Sequence, residues 1–430
     1  MRTEFSAELL EDPDMQAMEG ILRKCVHCGF CNSTCPTFQL TGDELDGPRG
    51  RIYLMKSMFE EQATPSEKVV ERLDRCLSCL SCMTTCPSGV DYMHLIDQGR
   101  EYIEEKHDRK WTDRLQRLSL ARILTNAKYF QVLMKVAQLF SPLHRLLPRV
   151  IARPLRLAAQ TTKKSSVEFE PFYPAATQYR GSVALLTGCV QQVMDTEINQ
   201  ASIRLLNKQG FDVHVLGQST CCGAIEHHLG EKQLTQQRVN ANIENWVPVL
   251  ETVDAIITNA SGCGTMLKDY AYLMREKNSP IANKITAASK DICEFLHGQD
   301  IISDSFSRKK LSIAYQSPCS MQHGQKIEQE PVALLREFGY RVTTINDAHL
   351  CCGSAGTYNI LQAEFAEKLG RQKADNIQLT NADVVASGNL GCMLQLRQYS
   401  SLPFVHTVQL LDWASGGPEP DAIHKLKQAN

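Results

Sequence analysis

The chain has no stretch approaching the ~18 uninterrupted apolar residues that a membrane-spanning helix needs. Its opening residues, Met1 to Gly20, are acidic and mixed, without the charged start and apolar run of a secretory signal. No G-x-G-x-x-G follows a strand pattern, no phosphate-cradling glycine loop appears, and no Ser/His/Asp constellation stands out. Neither charge dominates: 46 Lys and Arg face 48 Asp and Glu, and the net charge of −2 points to no nucleic-acid partner. Together these absences argue against a hydride-accepting or nucleotide-hydrolysing site on this chain. Any membrane contact is expected to be peripheral or through a partner. What remains is a chain of 430 residues, 43% hydrophobic and 22% charged, enough for two or three globular domains.

Cysteine, by contrast, is abundant: there are seventeen. In a chain without a secretory signal, closely spaced cysteines read as metal ligands in a reducing, cytoplasmic compartment. Eight form two identical runs, Cys25-x2-Cys28-x2-Cys31-x3-Cys35-Pro36 and Cys76-x2-Cys79-x2-Cys82-x3-Cys86-Pro87. This is the run of bacterial two-cluster ferredoxins, in which three close cysteines hold one [4Fe–4S] cube and the fourth reaches the other cube. It assigns Cys25, Cys28, Cys31 and Cys86 to one cluster, and Cys76, Cys79, Cys82 and Cys35 to the second. Soft thiolates suit such clusters, and Gly29 helps the first loop to turn tightly. Structural zinc sites and disulfide scaffolds are the plainer alternative, but they seldom use quartets that end in Cys-Pro.

Along the chain, a lead-in helix is expected around Met15 to Arg23. The 40 residues from Pro36 to Arg75 are too many for a hairpin between cluster loops, and their apolar spacing after Pro48 is helical. Arg49 and Arg51 there offset cluster charge, dock a partner, or sit in water on the helix. Residues 106–164 hold fourteen Lys or Arg against two acids, leaving about −14 for the rest. Their apolar residues recur at helical spacing, interrupted at Pro142, Pro148 and Pro154. This basic amphipathic segment is expected to pack its apolar face on the neighbouring domain. Its charge, in water, would dock on an anionic membrane surface or an acidic partner. Thr161 to Ser166 read as the end of the linker.

From Gly181 the pattern turns α/β and repeats. Strands are predicted at 183–189, 213–216 and 255–258, then at 311–315, 341–345 and 383–386. Cys189, Cys221, Cys222 and Cys263 recur as Cys319, Cys351, Cys352 and Cys392, at intervals of 130, 130, 130 and 129 residues. Two facing lobes are expected, with cysteines at strand ends where α/β folds carry their sites. The expected fold is thus α + α/β: a helical two-cluster domain (1–105), a basic helical linker (106–180) and two α/β repeats (181–305 and 306–430). Each repeat resembles the cysteine-rich CCG domains of heterodisulfide reductases and of iron–sulfur subunits of flavin-linked dehydrogenases. The family motif ends in Cys-x2-Cys, whereas Ala260 and Asn389 stand here at the first cysteine of that pair. Four cysteines per repeat still suit a [4Fe–4S] cube or zinc; buried, metal-free thiols are the alternative. Gly223 and Gly353 suit a positive φ, His227, His228 and His323 read as ordinary hydrogen-bonding residues, and Cys293 as core.

As a whole the chain resembles the iron–sulfur subunits of bacterial glycolate dehydrogenase, also called glycolate oxidase. The resemblance is carried by Gly42 to Ile52, Thr187 to Gln191, Cys221 to Ala224 and Asn259 to Gly264. It implies FAD-binding partner subunits that oxidise glycolate to glyoxylate, and electron exit to quinone at the inner face of the cytoplasmic membrane. Iron–sulfur subunits of glycerol-3-phosphate or lactate dehydrogenases keep the same wiring, and a heterodisulfide-reductase-like enzyme is the alternative of another class. Anaerobically purified protein should carry about eight irons per chain from the two quartets alone. Metal and sulfide analysis giving iron clearly above that, without zinc, would place clusters in the repeats as well.

Overall fold

A computed structural model describes residues 1–140, 168–217, 221–302 and 311–429. The amino-terminal part is helical: α1 (Pro13–Lys24), α2 (Pro48–Glu60), α3 (Glu67–Asp74) and α4 (Tyr92–Lys106), with single-turn helices beside the cysteine loops. The starts follow local chemistry. Asp12 caps α1 ahead of Pro13, Pro48 opens α2, and the Ser66 and Asp91 side chains cap α3 and α4. Met18 and Leu22 of α1, Met55 and Phe59 of α2, Leu73 of α3 and Leu95 of α4 close one apolar core.

Helices α5 (Trp111–Ile123) and α6 (Ala127–Phe140) follow. Part of the basic charge is not in water as expected. The side chains of Arg109 and Arg117 are buried and clamp Asp74 at 2.8 and 2.7 Å, tying this segment to the helical domain. Phe130 and Met134 of α6 enter the core of the α/β part, while Tyr129, Val132, Val136 and Leu139 are exposed. The expected breaks at Pro142, Pro148 and Pro154 and the linker end at Thr161 to Ser166 lie outside the described residues.

The first sheet holds β1 (Phe172–Tyr173), β2 (Gly181–Leu186), β3 (Phe211–Leu216), β4 (Ala255–Thr258) and β5 (Ser289–Asp291), in the order β1-β3-β2-β4-β5. All neighbours are parallel except β1, which comes from the stretch read as linker and runs against β3. The second holds β6 (Ser312–Gln316), β7 (Arg341–Thr343), β8 (Val384–Ser387) and β9 (Phe404–His406), all parallel, in the order β7-β6-β8-β9. With β1 set aside the two orders match, so the cysteine period is a duplication of the fold. Among the helices on these sheets are α7 (Glu197–Lys208), α8 (Lys232–Leu250) and α9 (Ser261–Lys268) in the first repeat. The second has α10 (Glu330–Glu337), α11 (Ala363–Gln378), α12 (Leu390–Leu396) and α13 (Thr407–Ala414). One apolar core runs through both repeats, from Val183, Ile198 and Leu205 to Ile313, Val384 and Leu411. Arg204 of α7 pairs with Asp412 of α13 at 2.7 Å.

The helical domain is fastened to both repeats. Asp14 pairs with Lys232 at 2.6 Å and with Arg275. The Tyr358 hydroxyl donates to the Arg75 carbonyl at 3.1 Å, and Thr84 and His323 share a hydrogen bond of 3.0 Å. His94 of α4 lies between Asp91 (2.6 Å) and Asp269 (2.9 Å) and stacks on Tyr272. Burial alone would lower its pKa, but the bonds to Asp269 and Asp91 outweigh this and push it up to about 9 from 6.5. The stability this gives is complete below pH 6.5 and is lost as pH rises through about 9. Anaerobic melting curves should therefore show wild type losing Tm over that window more steeply than His94→Gln. Equal slopes would show that His94 does not carry this charge.

Candidate metal centres

The two quartet loops follow the same backbone path. His27 and Gly29 have φ of 55° and 84°, and the matching Ser78 and Leu80 have 49° and 62°. Glycine is thus not what makes the turn. Leu80 holds a left-handed conformation that a branched side chain normally avoids, at a cost of order 1–3 kcal/mol. Its side chain is buried at Gly324 of the second repeat, which pins it there.

Cys25, Cys28, Cys31 and Cys86 line one pocket open to solvent, together with Cys82, Arg49 and Tyr92. Cys28 is the exposed one of the eight, with Val26 and Phe30 exposed beside it. The other four lie deeper: Cys79 and Cys82 are in electrostatic reach of Cys35 and Cys76. The Tyr92 hydroxyl donates to the Cys76 sulfur at 3.8 Å. Burial pushes the Cys31 thiol up to about 11 and lifts Cys25, Cys79 and Cys82 as well. As bare thiols these groups would stay protonated, and a positively charged metal core is what would let them ionise. Among the described residues no three such side chains close round a single ion; Cys25, Cys28, Cys31 and Cys86 instead ring a space.

The stretch Gly47-Pro-Arg-Gly-Arg51 is explained residue by residue. A Cβ on Gly50 would stand 2.1 Å from the Glu44 carbonyl, and one on Gly47 would stand 2.6 Å from Asn32. Arg49 pairs with Glu44 at 2.7 Å and donates to the His27 carbonyl at 3.3 Å. Arg51, 1% exposed, donates to Thr37 at 3.1 Å and to the Arg72 carbonyl at 2.7 Å, with its guanidinium 4.0 Å from the Cys35 sulfur. Both arginines therefore stand at the cysteine sites, not in bulk water. Asp46, missed in the sequence, anchors this corner: it is fully buried and pairs with Arg72 (2.5 Å) and Arg75 (3.2 Å). Its signal was present only as an acid before Gly-Pro, which says nothing of arginines 26 and 29 residues on.

In the repeats every cysteine follows the carboxyl end of a parallel strand. The sulfurs form two chains of neighbours, Cys189–Cys221–Cys222–Cys263 and Cys319–Cys351–Cys352–Cys392, all buried but the half-buried Cys263. The Cys222 and Cys263 sulfurs are 3.3 Å apart. Behind the first chain lies a buried amide network. Gln191 donates to Asn199 and Asn259, both at 2.7 Å, and Asn199 donates to the Thr187 carbonyl at 2.9 Å. It locks the Cys189 loop to the Cys263 loop. His227 and His228 turn to Asp97 at 3.2 and 3.4 Å, and His323 to Thr84 and the His349 carbonyl, so none of the three bonds a sulfur. Cys293 is buried in the shared core. Glu226 and Lys373, two buried charges beside the sulfurs, were missed because single charged residues on helices look like solvated ones.

The cysteine sets meet across a domain boundary: Cys79 packs with Leu77, Cys319 and Cys351 in one apolar cluster. The repeats meet where Ser320 donates to Ser261 at 2.7 Å and Thr265 to the Ser320 carbonyl at 3.0 Å.

Comparison with known proteins gives matching families. Residues 21–90 match a 4Fe-4S dicluster domain, and residues 183–268 and 313–397 each match a cysteine-rich domain, CCG. The chain is 34% identical over 419 residues to the glycolate oxidase iron–sulfur subunit of Escherichia coli K12, covering 96% of this chain and 99% of that one. It is 29% identical to a probable glycolate oxidase iron–sulfur subunit of Bacillus subtilis 168, covering 92% and 93%. In fold it is similar to a hypothetical protein from Helicobacter pylori, at 12% identity and a TM-score of 0.51, over 96% of this chain and 74% of that one.

Gly223 and Gly353 have φ of 94° and 82°, but only at Gly353 would a Cβ meet backbone, 2.6 Å from the Ala366 carbonyl. Gly223→Ala should cost about 1 kcal/mol, and Gly353→Ala more than about 2 kcal/mol. The larger fall in Tm should belong to Gly353→Ala; the reverse order would contradict the close approach.

Proposed function

The chain belongs to the family of glycolate oxidase iron–sulfur subunits, and we propose that it relays electrons from glycolate-oxidising, FAD-binding partner subunits to quinone. The supporting observation is the series of sulfur sites, from exposed Cys28 through half-buried Cys79 to buried Cys319. Cys25, Cys28, Cys31 and Cys86 would hold one cluster and Cys76, Cys79, Cys82 and Cys35 the other, with further centres in the repeats. When bound, such clusters take up and release electrons singly, which matches a flavin that has removed a pair from the substrate. The residues supply what this needs. Arg49 and Arg51 place cationic charge at the sulfurs, Tyr92 donates to the Cys76 sulfur, and the second repeat packs Cys319 and Cys351 against Cys79.

No described helix is long and apolar enough to cross a membrane. Peripheral contact with an anionic surface is supported by the exposed apolar face of α6. It is supported too by residues 141–167, which carry Arg145, Arg149, Arg153, Arg156, Lys163 and Lys164 and no acid. In the complex, Cys79→Ser should abolish glycolate-dependent quinone reduction while the flavin still bleaches with substrate. Loss of flavin bleaching too, in a complex shown to be intact, would contradict the relay role.

A further inference from the structure

Helices α8 and α11 hold the same place in the two repeats. Counted from their first residues, Lys232 and Ala363, their buried positions coincide: Thr235 with Ala366, Val239 with Gly370, Asn242 with Lys373, Ile243 with Ala374 and Trp246 with Ile377. One of these positions is polar in both. In the first repeat it is neutral: Asn242 donates to the Cys221 carbonyl and to the Tyr270 hydroxyl, each at 2.8 Å. In the second it is Lys373, 2% exposed, donating to the carbonyls of Asp347 and Ala348 at 2.9 Å each. These carbonyls lie just ahead of Cys351 in the same loop. Burial lowers the Lys373 pKa, and the sulfurs of Cys319, Cys352, Cys351 and Cys392, all in electrostatic reach, oppose that by favouring its charged form. In the first repeat the cation in reach of a cysteine among the described residues, Arg238 near Cys221, is itself paired by a carboxylate. There the Cys221 sulfur is 3.9 Å from the Glu226 carboxyl, which Arg238 pairs at 3.3 Å.

A cation fixed beside a redox centre in a dry interior favours the form holding one more electron. We propose that Lys373 sets the potential of the second repeat's centre, making it more easily reduced than its duplicate in the first repeat. This rests on the reading that the repeats hold iron–sulfur centres. The placement suits the role, since Cys319 of this repeat is the one packed with Cys79. The duplicated lobes are then unequal stations: the cationic one meets the helical domain, and the other stands behind it.

The test is an anaerobic redox titration of the assembled complex followed by electron paramagnetic resonance, with the second repeat's signal identified as the one lost in Cys352→Ser. At a fixed potential, Lys373→Asn and Lys373→Met should lower the reduced-to-oxidised ratio of that signal about tenfold, about 59 mV for a one-electron couple. The ferredoxin-type signals should not move, and Lys373→Arg should keep the wild-type midpoint. An unmoved midpoint in the Asn and Met variants, or an equal shift in Arg, overturns the proposal. So does selective loss of that centre's iron in Asn and Met with Arg holding it, which would make Lys373 an assembly residue. Wild-type protein with only the ferredoxin-type signals, and iron to match, overturns the underlying reading instead.

Discussion

Taking a thiolate out of water is opposed by desolvation, and this chain asks it of many cysteines at once. Most of the sixteen in the four sets are buried, and burial alone leaves several of them as neutral thiols. Opposite charge must therefore stand beside them, and much of the surrounding sequence supplies it. Arg51 is itself buried at Cys35 and is held there by Thr37 and the Arg72 carbonyl. Asp46, with Arg72 and Arg75 on its carboxylate, keeps that corner from carrying cationic charge alone. A motif that reads in sequence as glycine, proline and arginine is thus a device for placing one guanidinium at one sulfur.

The domain boundary obeys the same constraint. Cys79 packs against Cys319 and Cys351 of the second repeat, and Leu80 holds its strained conformation with its side chain seated at Gly324. The polar bonds that fasten the helical domain lie around this dry contact. Asp14, His94 and Asp97 grip the first repeat, and Thr84 and Arg75 grip the second. Buried pairs of this kind contribute little net stability but penalise any other arrangement strongly. They fix which sulfur faces which, and the proposed relay would need that more than tight binding.

Much of this was legible in the residues. Cysteine spacing needs no tertiary information, because three ligands of one loop must be close in sequence. Strands buried on both faces read as short apolar runs, and those at 183–189, 255–258 and 383–386 were found within a few residues of their ends. The missed features all depend on partners distant in sequence. The Phe172–Tyr173 strand is only two residues long and exists through its pairing with Val213 and His214. Arg109 and Arg117 counted as surface charge because Asp74 lies 35 and 43 residues away. Gly29 was credited with a turn that Leu80 makes equally well, because the loop's path is imposed from outside its sequence.

The duplication also limits how the protein can have been built. If the repeats were beads on a string, each would close its own core and meet the other through a polar face. Instead β2 and α7 of the first share apolar neighbours with β6, β8 and α13 of the second, and α6 inserts Phe130 and Met134 into the same mass. Separating the repeats would uncover these side chains at about 25 cal/mol per Å² of apolar surface. Neither lobe is then free to drift relative to the other, and the contact of Ser261 with Ser320 keeps α9, which carries Cys263, beside the turn that follows Cys319. Two copies locked this firmly can diverge in charge without diverging in shape. Asn242 and Lys373 show that divergence: both bond loop carbonyls at the cysteines from the same helix position, and only one brings a charge.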